Sequence, residues 1–197
     1  MYGPKILVMA GSLRAGSHNG RLAALVAKEL ALAQAEVTRI SLADYPLPLL
    51  DADLLAASGP PDNAVKLKQM LAAHQGVFIA SPEYTASVTP LLKNAVDWIT
   101  RVRERNDASH AAFKDRVFAL GSASARADGG VHALMALRQI LEVGCGALVL
   151  PEQINVGRAE EAFDDMDNLK DDALTTVLKE MVQRLIDLAS VMPKATE

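Results

Sequence analysis

The sequence of 197 residues contains few aromatic side chains and almost no cysteine. Aromatic residues make up 4% of the chain, as one Trp, three Tyr and four Phe. The single cysteine, Cys145, excludes an intrachain disulfide and a metal site built from several thiolates. Because rings are scarce, we expect a core of Ala, Leu and Val, and few aromatic faces on which a ring-shaped ligand could stack.

The chain also lacks a strong excess of charge and a long hydrophobic run. Lys and Arg number 20 and Asp and Glu number 24, so the formal net charge is -4. This balance leaves no basic surface for nucleic acid or for an anionic membrane. The first apolar stretch, 6–10, is too short for a signal sequence or a bilayer span. We therefore expect a cytoplasmic protein with neither nucleic acid nor membrane among its partners.

What the chain does contain is apolar: 50% of its residues are hydrophobic, enough for a substantial core, and its length suits one domain, residues 1–197. Short apolar runs typical of strands alternate with amphipathic stretches typical of helices, which predicts a parallel sheet with helices on both faces. A proline-rich stretch, 45–61, predicts a long connection. The predicted strands are 5–10, 36–42, 76–81, 116–122 and 147–150, the last extending towards Val156, and the predicted helices are 19–34, 62–73 with Asp62 as N-cap, 91–103, 131–143 and 170–192.

Ligands of such sheets bind beyond the carboxyl ends of the strands, which directs attention to three loops. The first, 11–19, combines two glycines, hydroxyls, an amide side chain and the start of a helix. This set suits a phosphate group, to which Arg14 can add a charge-assisted bond. The loop matches neither G-x-G-x-x-G nor G-x-x-x-x-G-K-[ST], and the alternative is a tight turn with a Ser or Asn helix cap.

The second loop, 81–90, is stiffened by two prolines and leads into the helical segment LLKNAVDW at 91–98. Its small polar residues predict exposed backbone amides. The alternative is a proline-rich loop followed by a core Trp98, with Asp97 bracing the first loop. The third loop, 122–130, is made of small residues that could approach a flat ligand, or that are simply flexible.

Taken together, these motifs resemble those of the NADPH-dependent FMN reductase family, a flavodoxin-like group that includes quinone, azo-dye and chromate reductases. The similarity covers nearly the whole chain. It implies an α/β fold: a flavodoxin-like three-layer α/β/α sandwich around a five-stranded parallel sheet of order 2-1-3-4-5. The similarity rests on Gly11-Ser12-Leu13-Arg14 with Ser17 and Asn19, on Pro82-Glu83-Tyr84, and on Leu92-Lys93-Asn94-Ala95 with Asp97 and Trp98.

The resemblance implies FMN as cofactor and NADPH, or alternatively NADH, as electron donor. It implies a two-step reaction in which hydride passes from NAD(P)H to the flavin, and electrons then pass to a small-molecule acceptor such as a flavin, a quinone, an azo compound or a metal ion. The implied FMN phosphate contacts are Ser12, Arg14, Ser17 and Asn19, with His18 beside them. The implied contacts to the isoalloxazine ring are the backbone of Pro82, Glu83, Tyr84 and Thr85, with Ser122 and Ser124 flanking the ring.

The sequence departs from the family pattern at two places. Thr85 stands where the family usually has Asn, and we interpret this as tuning of the flavin affinity, since a hydroxyl can still donate. Arg126 and Asp128 stand where the family often has Pro and small residues. Arg126 either meets the NADPH phosphate or pairs with Asp128 in solvent.

Other chemistries find little support in the sequence. Because the flavin would carry the reaction, we nominate no catalytic side chain, and the four histidines show no metal-ligand spacing. Cys145 is read as a small buried residue and Glu83 as a structural or rim residue.

Two alternative functions stay open. The first is a flavodoxin-like electron carrier without NAD(P)H oxidation, which the weak net charge and the few aromatics disfavour. The second is a flavin-free redox sensor or scaffold. We also expect a homodimer or homotetramer that uses the apolar side of the helix 91–103.

Overall fold

The computed structural model describes residues 3–104 and 107–193. Their strands form one five-stranded sheet in the order β2-β1-β3-β4-β5, with every neighbouring pair parallel. This is the order that the resemblance implied, so the fold class is confirmed. The strands are β1 (Lys5–Ala10), β2 (Glu36–Ser41), β3 (Gly76–Ala80), β4 (Val117–Ala123) and β5 (Leu148–Val156).

Helices cover both faces of the sheet and complete two separate cores. On one face α1 and α6 pack against Ile6, Val8 and Phe78. On the other face α3, α4 and α5 pack against residues of alternate position such as Leu7 and Val77. The central strands are buried on both faces because their apolar runs are continuous. The helices are α1 (His18–Leu32), α2 (Ala52–Ser58), α3 (Asp62–Ala72), α4 (Pro90–Arg101), α5 (Val131–Gln139) and α6 (Asp172–Val191).

The structure differs from the predicted elements at three places. Within the predicted connection 45–61 lies the short helix α2, capped by Asp51 and ended by Gly59 at φ +71. Asp62 is the first residue of α3 rather than its cap, which is Pro61. The predicted helix 131–143 leaves α-helical geometry after Gln139 and continues as a π-helical turn, Ile140–Gly144.

Strand β5 ends at Val156, as predicted, but it is less regular than its apolar start indicates. Opposite Phe118 and Leu120 of β4 lie Val149 and Gln153, so two extra residues of β5 are accommodated between these pairs. The extra segment contains Pro151, which an edge strand tolerates because its outer side has no neighbour to bond.

The core consists mainly of Leu, Ala and Val, as expected, but it also contains most of the aromatic rings. Trp98, Phe78, Phe113 and Phe118 are among the largest fully buried side chains. These rings are buried, and the burial of each one removes a large apolar area from water. Tyr84, in contrast, is 59% exposed. Within residues 3–104 and 107–193, no helix has the length and apolarity needed to cross a membrane.

Candidate functional site

The three loops start side by side at the carboxyl edge of the sheet. The N–H of Gly11 donates to Ala80 O at 2.8 Å, and the N–H of Ser81 donates to Gly121 O at 2.8 Å. Each bond extends the parallel ladder by one residue beyond the strands. The parallel order of β1, β3 and β4 thus brings together segments that are about 40 to 110 residues apart in the chain.

The first loop is held by a small set of local bonds. Ser17 caps α1, and its Oγ accepts from Gly20 N at 3.4 Å, while its own N–H donates to Arg14 O at 3.2 Å. The Oγ of Ser12 accepts from Arg14 N at 3.3 Å. Gly16 has φ +67, which favours glycine and lets the chain turn into the helix.

Most backbone N–H groups of this loop lack a partner. Within the described part of the chain, no acceptor is found for six of them, and the buried Nδ1 of His18 is unpartnered as well. They surround the amino end of α1, where the helix dipole adds partial positive charge. Such a set of donors is suited to an anion of the size of a phosphate. The six N–H groups belong to Ser12, Leu13, Ala15, Gly16, His18 and Asn19.

Asn19 has a second contact that the sequence did not reveal. Its Nδ2 donates to Ala123 O at 2.8 Å and its Oδ1 accepts from Ala123 N at 3.0 Å. The side chain is 3% exposed, so it ties the start of α1 to the end of β4. What Asn19 leaves available to a ligand in this arrangement is its backbone N–H.

The second loop forms a tight turn at its tip. The N–H of Tyr84 donates to Ser87 O at 2.9 Å, and the N–H of Ser87 returns the bond at 3.0 Å. Between them Thr85 and Ala86 have φ +49 and +58. A β-branched residue at positive φ is strained, so Thr85 occupies a position that asparagine or glycine would fill at lower cost.

The base of the second loop is tied to the first loop through Thr89. Its Oγ1 donates to Gly11 O at 2.8 Å and accepts from Leu92 N at 3.2 Å, which caps α4. Sequence analysis missed this residue, although a Thr directly before Pro90 at the start of a helix is a capping signal.

The motif in α4 supports the site without reaching it. Asn94 Oδ1 accepts from Leu50 N at 2.9 Å, and the side chains of Asn94 and Trp98 both donate to Pro48 O. Asp97 bonds to Lys93 at 2.7 Å rather than bracing the first loop, and Trp98 is a core residue, as the alternative interpretation expected. These residues hold the proline-rich connection in place.

The third loop contains one buried and one outer serine. Ser122 is completely buried, and its Oγ has no partner among the residues that the structure describes. Ser124, further out, accepts from Arg126 N at 3.2 Å. Arg126 Nε lies 3.1 Å from Asp128 Oδ2 and its side chain is 72% exposed, so Arg126 pairs with Asp128 in solvent. The bond from Gly130 N, followed by the contact with Arg126, lowers the pKa of Asp128.

Glu83 belongs to the second loop, but its side chain joins the third. Its Oε2 accepts from His132 N at 3.0 Å and from Ala133 N at 3.3 Å, at the start of α5. Ligand atoms of Glu83, Asp128 and His132 lie within 4.8 Å of one another. This carboxylate already receives two helix amides, and Arg126 lies on Asp128, so both negative charges are already compensated.

The residues present fit a flavin mononucleotide. The unpartnered amides at α1 suit its phosphate, and the loops after β3 and β4 present small residues at the same edge of the sheet. Within the described residues, Glu83, Thr85 and Ala86 have backbone N–H groups without an acceptor, so the second loop can also donate to ring oxygens and nitrogens.

Comparison with known proteins points the same way. Residues 4–161 match the family described as NADPH-dependent FMN reductase. An NAD(P)H-dependent FMN reductase of Pseudomonas aeruginosa is 32% identical over 183 residues, which cover 92% of this chain and 92% of the relative. A quinone reductase of Escherichia coli is 36% identical over 138 residues, which cover 70% of this chain and 69% of the relative.

A solved structure extends this similarity to the fold. The flavoenzyme FerB of Paracoccus denitrificans, an NAD(P)H:(acceptor) oxidoreductase, superposes with a TM-score of 0.75 at 26% identity. The match covers 94% of this chain and 97% of that protein. The structural similarity therefore extends over nearly the whole chain.

Proposed function

The chain belongs to the NADPH-dependent FMN reductase family, and from this premise we propose that it passes electrons from NAD(P)H to a small quinone-type acceptor. It is an oxidoreductase that uses FMN and a nicotinamide, as the family and its relatives establish. The single observation that carries the site assignment is the run of unpartnered N–H groups around the start of α1, exposed beside two loops suited to a flat ring.

We assign the phosphate of FMN to the first loop. Ser12, Arg14, Ser17, His18 and Asn19 would hold it, chiefly through backbone N–H groups and the helix dipole. The Arg14 side chain is exposed and makes no ion pair within the described residues, so it is available to add a charge-assisted bond. The Ser17 hydroxyl already caps α1 and contributes by fixing where the helix begins.

The isoalloxazine ring is assigned to the second and third loops. Pro82, Glu83, Tyr84 and Thr85 would lie along it and contribute mainly backbone donors. Ser124 and Ser122 mark the other side, and Ser122 would act through its backbone because its side chain is completely buried. With one exposed ring nearby, Tyr84, the flavin would be held mostly by backbone and small side chains.

Bound FMN would supply the redox chemistry, accepting hydride from NAD(P)H and delivering electrons to the acceptor. The protein would bind and orient the flavin and stabilise the negative charge that develops on its ring. Preorganised amides of the second loop would lie at the electron-rich edge of the ring, where they favour negative charge at no reorganisation cost. No side chain of the chain is required as acid or base.

Wider assignments follow from the same premise. We propose one domain over residues 1–197, a cytoplasmic location, and a homodimer or homotetramer. The predicted interface needs correction: the apolar side of α4, including Leu92, Val96 and Ile99, is buried in the chain's own core. Subunit contacts through α4 would therefore use its outer residues, such as Leu91 and Arg101.

The test is to purify the chain, record its visible spectrum, and follow oxidation of NADPH and of NADH with and without added FMN and a benzoquinone. We expect flavin absorbance, directly or after reconstitution, and consumption of nicotinamide that depends on the quinone. A colourless protein that FMN cannot reconstitute would overturn the proposal. A yellow protein that never consumes NAD(P)H would instead indicate an electron carrier.

A further inference from the structure

Helix α5 begins without a side-chain cap of its own. Its N-cap residue is Gly130, at φ +80, which has no side chain to accept from the first amides. Asp128 accepts from Gly130 N at 3.1 Å but reaches no further into the helix. The next amides would lose a partner on folding unless another segment supplied one.

Glu83 supplies that partner from a distance of about 50 residues in the chain. Its Oε2 accepts from His132 N and Ala133 N, and His132 Nδ1 lies 3.4 Å away. The Glu83 side chain is only 10% exposed, and its bond from Ala133 N is partly buried. A carboxylate at a helix amino end also interacts favourably with the helix dipole.

The same residue contributes its backbone to the loop assigned to the flavin ring. Pro82 before it has a restricted φ, and Tyr84 after it starts the tight turn that ends at Ser87. A methyl group added at Gly130 would clash with Ser122 Oγ and lie 3.5 Å from Glu83 Cβ. The end of β4 therefore packs closely against Gly130, and Glu83 of the second loop lies in contact distance of the same residue.

We propose that Glu83 is a positioning residue for the flavin. Its side chain caps α5 and thereby fixes the backbone of residues 82–87 against the third loop, so that the loop amides are in place before the ring binds. This role of Glu83 rests on the proposed flavin site at the carboxyl edge of the sheet. The hydrogen bonds that Glu83 accepts are nevertheless internal to the chain and do not depend on the flavin. The bonds act through geometry, so a neutral side chain that accepts the same amides should preserve much of the effect.

The test compares three variants of the full chain with the wild type. E83A removes the cap and E83Q keeps an oxygen that can accept the amides. D171A is the matched control, because Asp171 likewise accepts two amides, Ala173 N at 2.8 Å and Leu174 N at 3.2 Å, at the start of α6, outside the three loops. Each variant is measured for the FMN dissociation constant, the absorption spectrum of the bound flavin and amide exchange of residues 83–88 in the flavin-free protein.

We expect E83A to raise the FMN dissociation constant about tenfold, the range that loss of a helix cap can reach. We also expect it to alter the spectrum of the bound flavin and to speed exchange at residues 83–88. E83Q should recover most of the affinity, and D171A should leave FMN affinity and loop exchange as in the wild type.

Three results would overturn the proposal: an E83A variant that binds FMN as well as D171A does, an unchanged exchange rate in the loop, or no recovery with Gln. If the wild type itself fails to bind FMN, the proposed function fails, whereas the exchange comparison in the flavin-free protein still reports whether Glu83 fixes the loop.

Discussion

The two edges of the sheet differ in how completely their buried polar groups are bonded. At the amino edge His74, Gln75 and Arg116 are buried and all are bonded: Gln75 Oε1 accepts from Lys5 N at 2.9 Å, and Arg116 donates to His74 O and Ala111 O. At the carboxyl edge His18 Nδ1, Ser122 Oγ and Asn155 Nδ2 are buried and find no partner among residues 3–104 and 107–193.

This difference suggests that the amino edge contributes to the stability of the fold and the carboxyl edge to ligand binding. Leaving a buried polar group unbonded costs about 1–3 kcal/mol, so the carboxyl edge keeps donors unsatisfied at a measurable cost, as sites for ligands often do. The amino edge carries no such cost. We therefore expect substitutions at the amino edge to change the free energy of unfolding, and substitutions at the carboxyl edge to change flavin binding.

The largest effect is expected at Arg116. Burial lowers the pKa of this guanidinium and Arg116 donates at 3.3 Å and 2.9 Å to two carbonyls, so R116A should lower the free energy of unfolding by about 3 kcal/mol. Denaturant unfolding of the flavin-free chain measures this loss. The FMN dissociation constant of the folded variant should equal that of the wild type. A comparable loss of FMN affinity in R116A would show that the amino edge also contributes to flavin binding.

A reciprocal effect is expected at Arg14. Because its exposed side chain makes no ion pair in the described chain, R14A should leave unfolding unchanged but weaken FMN binding by about tenfold, or about 1.4 kcal/mol. Riboflavin, which has no phosphate, should bind R14A and wild type equally. The control R184A removes the same charge from α6. If R14A and R184A lose equal FMN affinity, the effect comes from the net charge of the protein and not from a contact between Arg14 and the phosphate.

A smaller gain is expected at the strained turn of the second loop. Thr85 has φ +49, and Asn adopts this conformation more readily, so T85N should raise the free energy of unfolding by about 1 kcal/mol. Thermal unfolding of the flavin-free protein measures the gain. No gain would mean that the turn relaxes its strain in other ways.

The smallest effect is expected at Cys145, near the amino edge. Burial raises the pKa of its thiol to about 11, with Asp97 adding to the rise. Because the thiolate is the reactive form, the thiol of the folded chain should resist an aromatic disulfide reagent at pH 8 and react only on unfolding. Rapid labelling of folded protein would show that this edge opens more easily than its bonding suggests.

Much of the fold could be read from local patterns. The continuous apolar runs of β1, β3 and β4 and the capping signals of the helices are properties of short segments. Helix α2 was missed because the prolines around it favour a connection, although Asp51 supplies a cap. The π-helical turn after Gln139 leaves no comparable signal in the sequence.

Only part of the candidate site could be predicted from the sequence, and the reason is physical. Its backbone donors come from loop positions that motifs identify, but its supports are bonds between distant segments. Glu83 with α5, Thr89 with Gly11, and Asn19 with Ala123 each join residues separated by 49 to 104 positions. A single sequence carries no record of such pairings, so the roles of these side chains appeared only with the structure.

The reciprocal bonds between Asn19 and Ala123 have a consequence for synthesis. The phosphate loop is made first, yet the start of α1 gains this anchor only after the chain has grown by 104 residues and β4 has joined the sheet. A nascent chain that stops short of β4 therefore carries the loop without its brace. We therefore expect capture of the cofactor to follow the completion of the sheet rather than to precede it.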